Sequence, residues 1–294
     1  MDINQLHAFL AVAREGQMTR AARQLHRTQP AISAQIAKLE EDLGQRLFDR
    51  TSTGMVLSDA GRTFRGYAQA ALARLEDGRN ALDQLRGMQR GSLSIGGGAT
   101  ATTYLLPSIL GRFHAKYPGI RFFVREQPSK VVIEQVLEGQ LDLGVVTLPI
   151  HLSSTGSDVS THLEVEEWVQ DEMRLIVPPG HALHGRREFA WSELAAEPLV
   201  LFEAGSAVRG LLDRAMSSAR VDVDIVMELR SIESIKQMVA QGIGCAFVSQ
   251  FALSGPGDGL RCIEGPIQRR LAVIYRNDRT QSPAARAFLG MMHA

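Results

Sequence analysis

Hydroxyl side chains recur where strand-like runs end in the second part of the chain: Thr100 and Thr102 after LSIGG, Ser129 after IRFFVRE, Thr147 closing LDLGVVT, Ser206 after PLVLF and Ser249 closing GCAFVS. A strand that feeds a helix leaves unpaired N–H groups and a positive dipole end at the junction, so hydroxyls gathered there suit an anion. Each one alone is most simply a helix cap or a strand end; their recurrence is the stronger signal. Arg209, one turn into the helix that begins near Ser206, offers charge for a carboxylate or makes a surface salt bridge, and Phe202 offers a face for an apolar part of a ligand or belongs to the core. A different chemistry is conceivable at Gly96-Gly97-Gly98-Ala99-Thr100-Ala101, which satisfies G-x-G-x-x-A after a strand, with Glu126 ending the next strand as in a dinucleotide-binding enzyme. Such an enzyme needs a catalytic base or relay. His181 and His184 fall in a Pro-Gly turn that reads as solvated, and His151 and His162 lack partners at metal-ligand spacing. The two cysteines, Cys245 and Cys262, form no C-x-x-C pair and lie in apolar strand-like runs, which implies buried reduced thiols. Neither a catalytic residue, a metal nor a cofactor is expected.

A second kind of chemistry sits near the start, in MTRAARQLHRTQPAISAQIAKLEEDL from Met18 to Leu43. Thr19 is a suitable cap for a first short helix with Ala21, Ala22 and Leu25 on one face. After a break at His26-Arg27, Thr28 caps a second helix with Pro30 in its first turn. Ile32, Ile36, Leu39 and Leu43 bury one stripe of that helix, so Pro30, Ser33, Ala34 and Ala37 project the other way. A small, nearly uncharged face lets a helix backbone approach base edges in a major groove: Gln29 suits adenine, Ser33 several bases, and Ala or Pro carbons the thymine methyl. Ordinary core packing accounts equally well for the two helices taken alone.

The elements around this stretch favour the DNA reading. Ile3, Leu6, Phe9, Leu10 and Ala13 form a helix that packs across the pair, Gly16 ends it and Gly44 stops the reading helix. RLFDRTSTGMVLSDAG alternates about Ser52-Thr53-Gly54 as a two-stranded wing, with Arg46 and Arg50 flanking the reading helix for phosphate or minor-groove contact. The ungapped order of a helix, T-R-A-A-R-x-L, T-Q-P-A-I-S-x-Q-I-x-x-L-E, L-F-x-R and L-S-x-A-G resembles the winged helix-turn-helix of LysR-type transcriptional regulators. The resemblance implies groove contacts by Gln29, Pro30 and Ser33 and a wing contact by Arg50; with Thr28 and Lys38 these are the candidate DNA-binding residues.

Ser58 then caps a helix in which Phe64, Ala68, Ala71, Leu75, Gly78, Leu82 and Leu85 follow a four-three alternation over residues 58 to 88. At 1.5 Å per residue it extends on the order of 45 Å, too far for the small N-terminal domain to cover, so a second copy is its natural partner. From Gly91 onward strand-like and helical runs alternate, which predicts parallel sheets covered on both faces. The expected fold is therefore α/β with an N-terminal all-α winged helix-turn-helix over 1–58, a linker and dimerisation helix over 59–90, and an effector domain over 91–294. That domain is expected as two Rossmann-like α/β subdomains, the first about 91–162 and 266–294, the second about 163–265. By resemblance this is the periplasmic-binding-protein-like effector domain of the LysR family, with an inducer pocket lined by Thr100, Thr102, Ser129, Thr147 and Phe202. Gly96, Gly97 and Gly98 depart from the Ser or Pro often found there, and an enlarged pocket is one expected result.

The bulk properties narrow the classes. Lysine plus arginine and aspartate plus glutamate both number 32, so any DNA affinity comes from local placement of charge. No apolar run approaches the roughly 20 residues that span a bilayer, and the polar N-terminus is unlike a secretory leader, so a cytoplasmic protein without membrane contact is expected. The sequence thus predicts a regulator that binds double-stranded promoter DNA, contacts RNA polymerase and responds to a small, anionic effector, as a homodimer that assembles further to a tetramer. The alternatives are a dinucleotide-dependent enzyme or a solute-binding protein on the same subdomains. The DNA-reading motif and the missing export signal oppose the second.

Overall fold

The computed structural model describes residues 1–51, 54–84, 91–150, 162–255 and 258–293; the expectations for the wing tip at Ser52-Thr53, for Leu85 and the helix break at 89–90, and for His151 lie outside them. The chain forms two compact units, Met1–Leu82 and Asp83–Ala294.

In the first unit, α1 (Ile3–Glu15) buries Leu6, Ala8, Phe9 and Val12 and begins with a capping box between Asp2 and Gln5. A short α2 (Met18–Gln24) and α3 (Gln29–Leu43) follow. Thr19 does not cap α2. Gln17 occupies that position with no side-chain bond, because the helix starts one residue before the threonine. Thr28 does hold the cap position of α3, again without a side-chain bond, and Ile32, Ile36 and Leu39 are its buried stripe. The wing is β1 (Phe48–Thr51) paired antiparallel with β2 (Gly54–Leu57). Glu40 fastens it to α3, its Oε1 accepting the N–H groups of Leu47 at 2.7 Å and Phe48 at 3.2 Å. The Phe9 ring stands 5.3 Å from those of Phe48 and Phe64, so one aromatic joins α1, the wing and the following helix. That helix, α4 (Asp59–Gln84), starts where the Ser58 hydroxyl accepts the Gly61 N–H at 3.0 Å. Ala68 is buried in the first unit, whereas Tyr67, Leu75 and Leu82 are exposed along it.

The second unit alternates strand and helix as its sequence pattern requires: β3 (Gly91–Gly97), a turn of π-helix at Ala101–Leu105, α5 (Leu106–Lys116), β4 (Ile120–Glu126), α6 (Ser129–Leu137) and β5 (Leu143–Leu148). β6 (Leu163–Ile176) and the short β7 (Glu188–Phe189) lead into β8 (Pro198–Phe202), α7 (Ala207–Ala219), β9 (Asp224–Leu229), α8 (Ile232–Ala240) and β10 (Cys245–Ser249). β11 (Arg261–Cys262), β12 (Ile267–Arg276) and α9 (Pro283–Met292) complete it.

Eight strands form one sheet in the order β4-β3-β5-β12-β6-β10-β8-β9, which corrects the expectation of parallel sheets. β4-β3-β5 and β10-β8-β9 are parallel triplets, and β12 and β6 between them are antiparallel to each other and to their outer neighbours. The two long strands thus join two halves. The first half packs Leu93, Ile95, Phe113 and Val145 against Phe288 and Leu289 of α9, so the C-terminal helix does return to it. The second packs Leu199 to Leu201, Phe247, Trp191, Leu212 and Ile235. Among the described residues no helix is long and apolar enough to cross a membrane.

Candidate effector site and DNA-reading face

Where the halves meet, a cavity of about 390 Å³ is lined by Thr100, Ser129, Thr147, Phe202 and Ser206, together with Glu126, Glu203, Arg230 and Arg269. The ends of β3, β4, β5 and β8 bring these residues together, as expected of ligands beyond the carboxyl ends of parallel strands. Ser206 caps α7, accepting the Arg209 N–H at 3.1 Å, and Ser129 opens α6 while its Oγ accepts the Thr147 N–H at 3.1 Å. The site therefore holds two helix starts from opposite halves, each with its dipole's positive end.

Two expected residues stand elsewhere. Thr102 is set back from the cavity lining, its hydroxyl donating to Glu126 Oε2 at 3.1 Å. Arg209 does not reach the cavity, because three acceptors hold its guanidinium behind α7: Asp213 at 2.7 Å, Glu228 at 2.6 Å and the Phe202 carbonyl at 2.9 Å. The hydrogen bond that Arg209 donates to Glu228 raises the Arg209 pKa further, and the same bond holds the Glu228 carboxyl below its usual value. The cavity's buried cation is Arg269. It donates from Nε to Asp171 Oδ2 at 2.7 Å and from Nη2 to Thr100 Oγ1 at 2.7 Å, while the Ser249 hydroxyl holds Asp171 Oδ1 at 2.8 Å. Nη1 has no hydrogen-bond partner among the described residues. A signal for this arginine was in the sequence: Ile267, Arg269 and Leu271 share one face of β12, and Asp171 falls in phase with Val169 and Met173 on β6.

The glycine run has a packing role. A Cβ at Gly96 would come within 2.4 Å of Leu141 Cδ1 and 3.3 Å of Val132, so α6 rests directly on the strand; only Gly98 borders the cavity. His181 corrects the expectation of a solvated turn, since its Nε2 lies 3.3 Å from Glu197 Oε2 and 3.6 Å from Cys245 Sγ. His162 faces Asp278 at 3.9 Å. Both cysteines are free and buried.

On the other unit, Thr28, Gln29, Pro30, Ala34, Ala37 and Lys38 are exposed on α3, Ser33 is half-buried, and Arg50 and Arg46 are exposed on and beside the wing. The small face and its flanking cations thus lie opposite the buried Ile32-Ile36-Leu39 stripe.

A winged helix-turn-helix followed by a two-half α/β unit with a cavity at the crossover defines a ligand-responsive DNA-binding regulator. Residues 3–62 match the family described as bacterial regulatory helix-turn-helix protein, lysR family, and residues 86–294 match the LysR substrate binding domain. The chain belongs to the LysR family of transcriptional regulators. It is similar to a probable RuBisCO transcriptional regulator of Cyanophora paradoxa, 33% identical over 97% of this chain and 89% of that one. In fold it resembles full-length CbnR complexed with its target DNA, with a TM-score of 0.65 and 23% identity over 99% of both chains. The regulatory domain of Synechocystis CcmR in complex with 2-PG aligns with 69% of this chain and 96% of its own, with a TM-score of 0.61 and 26% identity. These relatives are regulators, and the enzyme alternative falls with the family assignment.

Proposed function

We propose that the 390 Å³ cavity is the effector site and that its ligand is a small anion carrying hydroxyl or amine donors. The observation that carries this is the convergence of Arg269, the α6 and α7 starts and three hydroxyls (Thr100, Ser129 and Thr147) on one cavity that also holds two carboxylates. Arg269 is shared with Asp171 and Arg230 with Glu203, so charge alone does not select a polyanion. The anionic end takes Arg269 Nη1 and the helix starts, and ligand donors meet Glu126 and Glu203. The CcmR complex with 2-PG supports this class. No cofactor takes part.

Promoter DNA is read by α3 through Gln29, Pro30 and Ser33, with Thr28, Lys38 and Arg50 on the backbone or groove edges. The exposed Tyr67, Leu75 and Leu82 support pairing of two chains along a linker of 59–90. Apolar residues on both open sheet edges, Phe123 and Val124 on β4 and Ile225 and Val226 on β9, support assembly to a tetramer in the cytoplasm. Effector binding changes the angle between the halves and so the spacing of paired reading helices and their contact with RNA polymerase. This requires a ligand that distinguishes the two angles.

A thermal-shift panel of phosphorylated and carboxylated hydroxy acids tests the site. A ligand at about 100 times its dissociation constant adds roughly 2.7 kcal/mol, and Thr100→Val and Arg269→Gln should each remove the shift. A shift that both variants retain places the effector elsewhere.

A further inference from the structure

Three matched donors meet at the far end of the second half. Cys245 is the first residue of β10, Glu197 directly precedes β8, and His181 lies in the turn after β6. Cys245 Sγ is 3.6 Å from His181 Nε2, which is 3.3 Å from Glu197 Oε2, and one ligand atom of each lies within 4.8 Å of the other two. Zinc bonds of about 2.3 Å to sulfur and about 2.0–2.1 Å to nitrogen or oxygen, at tetrahedral angles, put sulfur and nitrogen roughly 3.5 Å apart and nitrogen and oxygen roughly 3.3 Å apart. The two measured separations are those edges.

The backbone holds all three segments in place. His181 N–H donates to the Pro178 carbonyl at 3.2 Å, Glu197 N–H to the Leu194 carbonyl at 3.1 Å, and Cys245 stands opposite Leu199 in the ladder. Cys245 is buried at 1% exposure, whereas the Glu197 side chain is 36% exposed and leaves a path for an ion and a fourth ligand from water.

We propose that His181, Glu197 and Cys245 form a three-ligand site for a borderline transition-metal dication of the zinc(II) or cobalt(II) kind. A thiolate in the set disfavours the hard cations magnesium and calcium, and a nitrogen-sulfur-oxygen tetrahedron suits zinc. Proton accounting defines what binding does. Leu183 N–H donates to His181 Nδ1 at 3.1 Å, so the ion-free ring carries its proton on Nε2, between the carboxylate and the sulfur. The ion displaces the thiol proton to solvent and the ring proton to Nδ1, where Leu183 N–H gives up its acceptor. β10 runs from this cluster to Ser249 on the Asp171–Arg269 pair, so the ion would fasten the strand whose other end supports the effector cavity.

Cobalt(II) is the probe. The reduced, chelator-treated full chain should take up one equivalent, with tetrahedral d–d bands and a thiolate-to-cobalt charge-transfer band that zinc(II) bleaches. Cys245→Ser should abolish the charge-transfer band and Cys262→Ser, which removes the other thiol, should retain it. Glu197→Gln, at a half-exposed position that leaves the core intact, should weaken cobalt binding at least tenfold. The proposal is overturned by absence of the band at one equivalent, by its survival in Cys245→Ser, or by unchanged affinity in Glu197→Gln. None of these readouts depends on the effector or on DNA.

Discussion

Removing the Asp171 carboxylate is the most informative perturbation of the effector unit. Asp171 is fully buried beside Arg269, whose side chain is 5% exposed, and the two are 2.6 Å apart. Asp171→Ala leaves a buried guanidinium without its counter-charge and the Ser249 hydroxyl without its acceptor. Breaking one partner of a buried pair costs about 3–5 kcal/mol. For a unit of this size a urea slope of about 2–3 kcal/mol/M converts that into a midpoint roughly 1–2 M lower. Both tryptophans, Trp168 and Trp191, lie in the second unit, so fluorescence follows its unfolding alone. Asp171→Leu combined with Arg269→Met should recover most of the loss, because two apolar side chains replace the pair without stranding a charge. A loss below about 1 kcal/mol in Asp171→Ala, or a double variant as unstable as the single, would refute the reasoning that the pair is buried and mutually dependent.

Three further outcomes are expected. Ser33→Arg puts bulk on the small face of α3 and should abolish sequence-selective footprinting while retaining salt-sensitive non-specific binding; a normal footprint shows that another face reads the DNA. Gly61→Ala places a Cβ 2.1 Å from the Leu47 carbonyl oxygen, and should destabilise the first unit by about 1–3 kcal/mol in amide exchange without moving the tryptophan transition. The hydrogen bond from Arg276, foremost among several causes, holds the Asp278 carboxyl below its ordinary 3.8. The folded-state value is the lower one, so this contribution is complete above about pH 4 and is lost as pH falls through it. Asp278→Asn should flatten that part of the stability profile measured by urea midpoints from about pH 5 to pH 2.

The helical features were legible because their signals are local. Ile32, Ile36 and Leu39 announce the buried side of α3 within eight residues, and the return of α9 follows from an apolar run after a strand. The cavity's charge was hidden because it is assembled from afar: Arg269 meets an aspartate 98 residues away and a threonine 169 residues away. Arg209 misled for the opposite reason. It stands one turn from a site serine, yet Asp213, four residues on, and Glu228 on the neighbouring strand claim it first. β6 escaped notice as a strand because its first half, LEVEEWVQ, is largely exposed and reads as a charged surface. Apart from Leu163, its continuously buried stretch is the second half, from Asp171 to Leu175. His181 looked solvated because a Pro-Gly turn is ordinarily wet, and the groups beside it are Glu197, just before β8, and Cys245, the first residue of β10.

The second half of the effector unit is an insertion within the first. Its core draws on residues from Met173 to Ile267, whereas the first half needs Leu93 and Phe113 from one side of that insertion and Val273, Phe288 and Leu289 from the other. On the ribosome the order is therefore fixed. The DNA-reading unit can close first, the inserted half closes next, and the half that begins earlier waits with an unfinished core until α9 emerges. A ribosome stalled with Ile267 clear of its exit tunnel and α9 still inside should carry a protease-resistant inserted half beside an exposed β3-α5-β4 segment, the species most in need of a chaperone. The cavity between them, which borrows from both halves, is the last part of the molecule to exist.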